Sequence, residues 1–415
     1  MRQRTFLLLL CVIGLGGCVS ITSGRYGEGG GNNPAFLGAG GPAGGRPAVA
    51  LLVPRSGSRA ELGEVLVQAA QLVLQDAEGP ALDVLDTTGT PHGATAAAQA
   101  AVAHGDNMIL GPLTSAETAA VTPVAKGANI PVLAFTNDGS RSQDGVWVLG
   151  ITPDQQVRRL VAAAQAQGKT SFAALLPDTE FGRAMSNALT AALAGAGLHA
   201  PNIRMHGPGM PAVTAATRDI ADYADRRGPI DAKIKAARAL GTSEGRREAQ
   251  ELAKTPIPPP PFDTLLLADT GDSLQEIAAV LPYYDIDRSA VQIIGPALWA
   301  DPATGSGAVA GAWYAAPDNT ARTAFVQAYT AKYGTAPPPI ADLAFDAASV
   351  ARVAVNGRGA DRQTLTQPAG FVGSDGWFSL GPDGYVRRGL AVFKVQRTGP
   401  EMIDPAPQSP ESPGI

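Results

Sequence analysis

Cys18 is the residue best placed for covalent chemistry. It closes Leu15-Gly16-Gly17-Cys18, behind a leader with Arg2, Arg4 and an apolar run from Phe6 to Leu15. That run is far short of the ~20 residues a membrane span needs, so 1–17 reads as a signal peptide and Cys18 as a lipobox cysteine. The small residues before the thiol suit a lipoprotein signal peptidase, and the thiol would be acylated and left as the mature N-terminus. The other cysteine, Cys11, lies in the removed segment. Exported chains ordinarily use cysteines in pairs, so lipidation is the reading that explains the one that remains. Val19 stands where an Asp would favour inner-membrane retention. The expected place is therefore the periplasmic face of the outer membrane, held by lipid alone.

Other residue patterns invite catalytic readings that do not hold. Gly271-Asp272-Ser273-Leu274 copies the signature of the GDSL hydrolases and follows a strand, as theirs does. A serine nucleophile needs a base; theirs comes much later in the chain, and here no histidine follows His206. Gly168-Lys169-Thr170 is like the end of a phosphate-binding loop, but the required first glycine is Ala163 and the segment closes a helix rather than opening one. His92, His104, His199 and His206 show no acidic or Cys neighbours at metal-ligand spacing, and His104 is expected only to cap a helix. No catalytic residue, metal site or cofactor is expected.

Composition narrows the class further. About 398 residues follow the leader, enough for two or three domains. Loss of Arg2 and Arg4 takes the formal charge from −5 to about −7, leaving no basic excess to hold nucleic acid. Aromatics are only 6%, whereas Ala and Gly abound, as in small-residue helices packed closely on sheets. Residues 18–46 are Gly-rich without periodicity and read as a flexible tether.

The elements that would position a site begin at Ala48-Val49-Ala50-Leu51-Leu52-Val53, a continuous apolar run typical of a strand buried on both faces. Leu62, Val65, Leu66, Ala69, Leu72 and Val73 then follow helical spacing. Strands at 82–86, 107–110 and 131–135 alternate with helices, and a second series from Pro153 has strands at 172–176, near Ile203, at 264–268 and at 291–294. This alternation predicts α/β architecture with two doubly wound parallel-sheet lobes joined by a hinge. The expected bounds are 47–136 with 318–385 for the N-terminal lobe, and 137–317 with 386–400 for the C-terminal lobe. Residues 210–261 hold nine Lys or Arg and seven Asp or Glu before Pro258-Pro259-Pro260-Pro261, and read as a solvated helical insertion that could contribute to a protein contact. Asp383-Gly384 signals a terminal hairpin. The Pro-rich 401–415 is expected to fray.

In open α/β sheets, ligands bind beyond the carboxyl ends of the strands, where helix N-termini offer free N–H groups. The cleft candidates there are Ser56 and Gly57, Thr114 and Ser115, Thr136 and Asn137, then Asp178, Phe181 and Asp269 from the second lobe. Each has a plainer role available: Ser115 could only cap its helix, and Asp178 could only begin a turn.

Val53-Pro54-Arg55-Ser56-Gly57, Ile109-Leu110-Gly111-Pro112-Leu113-Thr114-Ser115, Pro131-Val132-Leu133-Ala134-Phe135-Thr136-Asn137-Asp138 and Leu175-Leu176-Pro177-Asp178 resemble type I periplasmic binding proteins of the Leu/Ile/Val receptor class. More narrowly, Asp86-Thr87-Thr88-Gly89-Thr90-Pro91 with Gly93-Ala94, Leu281-Pro282-Tyr283-Tyr284-Asp285, the charged insertion and Ile403-Asp404-Pro405-Ala406-Pro407 resemble the penicillin-binding protein activator lipoproteins of alphaproteobacteria. The narrower resemblance implies a non-enzymatic outer-membrane lipoprotein that binds a bifunctional peptidoglycan synthase and stimulates its transpeptidase. The best-studied members carry an N-terminal helical-repeat domain; here the Gly-rich tether stands in its place, with a relaxed span of only ~30 Å.

The broader resemblance implies an alternative, a lipid-anchored receptor feeding amino acids or amides to an ABC transporter. Receptors of that class hold the α-carboxylate of an amino acid with groups matching Ser115 and Thr136 or Asn137, and its ammonium with the acid of a Gly-Pro-Glu. Here that stretch is Gly295-Pro296-Ala297, and their aromatic lid is matched by Asp178-Thr179-Glu180-Phe181-Gly182, without a hydroxyl. An ammonium buried without a partner is costly, so a free amino acid is an unexpected ligand unless Asp269 supplies the counter-charge.

Overall fold

The computed structural model describes residues 46–76, 78–301, 307–356 and 359–409. Cys18, the leader and almost all of the tether lie outside these residues. The first lobe is built from β1 (Ala48–Val53), α1 (Ala60–Leu74), β2 (Ala81–Asp86), α2 (Pro91–His104), β3 (Ile109–Leu110), α3 (Ser115–Gly127), β4 (Val132–Ala134) and β5 (Val146–Val148). Its five strands are parallel and ordered β2-β1-β3-β4-β5.

The apolar run of β1 serves both faces of this sheet, because successive side chains of a strand point to opposite sides. Val49, Leu51 and Val53 join α1, while Ala50 and Leu52 join the alanines of α2 and residues of α3. Small residues let the helices approach closely. A Cβ on Gly63, in the first turn of α1, would sit 1.8 Å from the Pro54 carbonyl oxygen.

The second lobe follows as α4 (Pro153–Ala166), β6 (Phe172–Pro177), α5 (Glu180–Gly195), β7 (Asn202–His206), α6 (Met210–Ile220), α7 (Tyr223–Ala239), α8 (Ser243–Ala253), β8 (Thr264–Leu267), α9 (Gly271–Val280), β9 (Gln292–Gly295) and β10 (Trp313–Ala316). The chain then returns to the first lobe with α10 (Asn319–Tyr333), α11 (Ala341–Ala354), the two-residue strands β11 (Val355–Asn356) and β12 (Gly359–Ala360), and α12 (Arg362–Leu365). Phe325, Tyr329 and the alanines of α11 complete the core around α1. An antiparallel sheet of β13 (Phe371–Gly373), β14 (Gly376–Leu380) and β15 (Val386–Arg388) lies on the same core. Finally β16 (Ala391–Lys394) and β17 (Glu401–Asp404) enter the second sheet, ordered β17-β16-β10-β9-β8-β6-β7. Its inner strands are parallel, and β16 and β17 are antiparallel.

This topology corrects the expected lobe bounds. Val146-Trp147-Val148 pairs with β4, so the first crossover falls after it and not at 137. Residues 386–388 pair with β14 in the first lobe, so the last crossover falls at 389–390. The expected frayed tail begins instead with an edge strand: β17 pairs with β16, and Ile403 packs on the second-lobe core. Only part of 210–261 is an insertion. Val213, Thr217 and Ile220 of α6 are buried, the two apolar ones in the main core, whereas α7 and α8 enclose a small cluster of their own around Ile234, Ala237 and Ala249.

Buried side chains tie the crossing segments together. Arg159 donates from Nε to the Leu390 carbonyl (2.7 Å) and from Nη2 to the Pro405 carbonyl (3.1 Å). The same guanidinium pairs with Asp404 at 2.8 Å. Gln155 Nε2 donates to the Val386 carbonyl, Arg388 Nη2 to the Leu149 carbonyl and Trp147 Nε1 to the Gly381 carbonyl. We expect Arg159→Ala to cost about 2–3 kcal/mol in urea denaturation, since it leaves carbonyls without a charged donor. Amide exchange at 401–404 should accelerate relative to the central strands; unchanged exchange there would contradict this role.

Candidate functional site

The sequence-predicted cleft residues all fall beyond the carboxyl ends of strands, and in the first lobe the side-chain polar groups of Ser56, Thr114, Ser115 and Thr136, though not of Asn137, are already engaged. Asp86 Oδ1, at the end of β2, accepts hydrogen bonds from the backbone N–H of Arg55 (2.8 Å) and Thr88 (2.7 Å). Burial would raise the Asp86 pKa, but a hydrogen bond from the Ser56 side chain and these backbone bonds outweigh it and lower the value. Gly57 follows in the left-handed region, with φ 77°.

Thr114 forms a capping box with Glu117, accepting from the Glu117 N–H at 3.2 Å while Glu117 Oε2 accepts from the Thr114 N–H at 3.0 Å. The hydroxyls of Thr114 and Thr87 also donate to the buried Glu117 carboxylate, at 2.7 and 2.6 Å. Ser115 Oγ donates to Asp138 Oδ2 at 2.5 Å and accepts from Arg141 Nε at 3.0 Å. Burial would raise the Asp138 pKa, but bonds from Ser115, Ser140 and Arg141 prevail and bring it to about 2. Thr136 is buried and its Oγ1 accepts from the Asp138 N–H, while Asn137 is exposed. The rim that would meet a ligand carboxylate is thus lined by carboxylates of the protein itself.

In the second lobe, Asp178 is exposed and pairs with Arg183, and Phe181 is half-buried against the α4–α5 core. Asp269 is buried. Its carboxylate accepts from Ser273 Oγ at 2.5 Å and meets His206 Nε2 at 3.2 Å. Both partners address the same acid, so Ser273 has no histidine base and no hydrolytic triad forms. Trp299 donates from Nε1 to the Asp269 carbonyl at 2.9 Å, and its ring covers Gly295, where a Cβ would come within 2.2 Å. At the Gly295-Pro296-Ala297 stretch the Ala297 N–H is taken by Gln156 Oε1 at 2.8 Å.

Among the described residues, no hydrogen bond joins a first-lobe candidate to a second-lobe one. A cavity of about 240 Å³ lies beside the crossovers, lined among others by Ser142, Thr152, Asp154, Arg158, Tyr385 and Arg387, and includes none of the nine candidates. Sequence spacing gives His206 no acidic neighbour, because its partner Asp269 is 63 residues away. His104 likewise meets Asp83, at 2.6 Å, which corrects the expectation that the histidines lack acidic neighbours.

Burial alone would lower the His206 pKa, but the bond to Asp269, the Gly207 carbonyl and the charges of Asp269 and Glu276 raise it above 6.5. Stability from protonated His206 is therefore fully present below the unfolded pKa and is lost as pH rises through the raised folded value. In urea titrations from pH 5.5 to 8.5, His206→Gln should remove this part of the decline. A variant profile parallel to that of the natural protein would contradict it.

The profile of the periplasmic binding protein family matches residues 48–369. A structure described as a putative branched-chain amino acid ABC transporter from Rhodospirillum rubrum superposes with a TM-score of 0.62 at 20% identity, over 86% of this chain and 100% of that one. Full-length LpoA from Haemophilus influenzae gives 0.60 at 15% identity, over 87% of this chain and 59% of that one. Its C-domain, described as a regulator of PBP1A, gives 0.60 at 15% identity over 86% and 99%. An uncharacterized protein of Rickettsia prowazekii (strain Madrid E) is 26% identical over 178 residues, 43% of this chain and 48% of that protein, so the match spans about half the length of this relative. At such identities the structural likeness is one of fold. No helix among the described residues is long and apolar enough to cross a membrane. With its profile match over most of the chain and its two parallel-sheet lobes, the chain belongs to the periplasmic binding protein family and has the type I fold.

Proposed function

We propose that the protein is a non-enzymatic lipoprotein, anchored through Cys18 at the periplasmic face of the outer membrane, that regulates peptidoglycan synthesis by binding and activating a penicillin-binding protein. One observation carries this reading: the strand ends that would clasp a small solute are, apart from the exposed Asn137, satisfied internally. The hydroxyls of Ser56, Thr114 and Ser115 address Asp86, Glu117 and Asp138, and Asp269 is taken by His206 and Ser273. An α-carboxylate would meet like charges, and an ammonium would find no free acid, each a heavy cost in a closed cleft. The likeness to LpoA, whose C-domain is described as regulating PBP1A, supports the same reading. The α7–α8 hairpin is the surface we assign to the partner, since beyond Tyr223, which packs on the second-lobe core, it encloses a small cluster of its own and carries charge of both signs.

A second reading, a lipid-anchored solute receptor of an ABC transporter, is favoured by the Rhodospirillum rubrum structure, which is covered over its whole length. In that case the nine cleft candidates would form the ligand site, with Asp269 released from His206. Isothermal calorimetry with leucine, isoleucine and valine separates the two. The activator reading expects no heat beyond dilution, whereas micromolar affinity, about −8 kcal/mol, would overturn it.

A further inference from the structure

A second cluster of ionisable groups lies on the first lobe, on the side away from the strand ends that face the cleft. Along β2, Leu82 and Val84 pack on the α1–α11 core, while Leu85 packs with α2. Alternation places Asp83 on the α2 face as well. His104 ends α2, and Gly105 follows at φ 78°. The Gly105 N–H bonds to the Val102 carbonyl at 3.2 Å and the Asp106 N–H to the Ala101 carbonyl at 3.0 Å. This is a Schellman turn, in which the residue after the left-handed glycine commonly makes an apolar contact with the last turn of the helix.

Here that position is Asp106, only 1% exposed, and neither of its carboxylate oxygens has a hydrogen-bond donor. A buried carboxylate without a donor is costly, and no Lys or Arg among the described residues pairs with Asp83 or Asp106. His104 Nδ1 is 2.6 Å from Asp83 Oδ2, and one ligand atom from each of Asp83, His104 and Asp106 lies within 4.8 Å of the other two.

We propose that Asp83, His104 and Asp106 bind a divalent transition metal of the zinc type. One imidazole nitrogen and two carboxylate oxygens make three ligands, and the half-exposed His104 side leaves room for water as the fourth. An imidazole ligand favours zinc over magnesium or calcium. Zinc bonds of about 2.0–2.2 Å in a tetrahedral site separate ligand atoms by about 3.3 Å, so His104 and Asp83 must part by less than an ångström. The metal supplies the positive charge that the Asp106 carboxylate lacks, and it ties the edge strand β2 to the end of α2. Its role is structural rather than catalytic.

The test titrates zinc chloride into the metal-stripped full chain by calorimetry, with melting followed in parallel. One zinc per chain is expected, with a rise in Tm on loading and no response to magnesium chloride. Asp106→Asn and His104→Ala should each weaken zinc binding roughly tenfold or more, whereas His199→Ala, at an exposed histidine elsewhere, should leave it unchanged. His104→Ala alters only a surface ring, so the test survives if Asp106→Asn fails to fold. The proposal is overturned if no zinc binds, or if binding persists in a folded His104→Ala variant, as it would at scattered surface histidines.

Discussion

Chain that passes from one lobe to the other leaves its sheet partners behind, and its carbonyl groups must find donors elsewhere. Gln155, Arg159 and Arg388 supply them from within the protein, each buried and each donating to a segment that crosses or adjoins a crossing. Everything else depends on this arrangement, because it fixes how the two sheets are held. Arg388 is itself enclosed, with its guanidinium carbon 5.1 Å from the centre of the Phe378 ring and Asp346 and Asp375 at 3.9 and 3.7 Å. Burial pushes the Asp346 carboxyl up to about 6 despite the nearby Arg388 charge. Enclosing this charged network beside the last crossover costs desolvation energy.

The strand ends extend the same logic toward the cleft. Hydroxyl groups that could grip a solute instead close turns and caps, and Trp299 fills the space left by Gly295. Of the first-lobe rim's polar side chains among the nine candidates, Asn137 is the one left exposed without a bond of this kind. Outside the cleft, the α7–α8 hairpin encloses a small core of its own around Ile234, Ala237 and Ala249.

Much of this was legible in the sequence because it is written locally. The apolar run of β1 announces burial on both faces, and Thr114 with Glu117 three residues later is a capping box in plain view. Other features were not. Val146-Trp147-Val148 is too short to register as a strand, and Trp313–Ala316 is recognisable only once β9 and β16 flank it. The prolines after Asp404 suggested disorder, whereas Arg159, far away in sequence, holds that segment in place. The His206–Asp269 pair, and the approach of Asp83 to His104 and Asp106, arise from tertiary proximity that no local spacing encodes.

The most direct measurement is the cross-linking rate of the cell's own bifunctional peptidoglycan synthase on its lipid-linked substrate, with and without this protein. The account predicts faster cross-linking with the natural chain, and loss of the effect when residues 228–255 are replaced by a short Gly/Ser linker. An unchanged rate with the folded natural protein would contradict it.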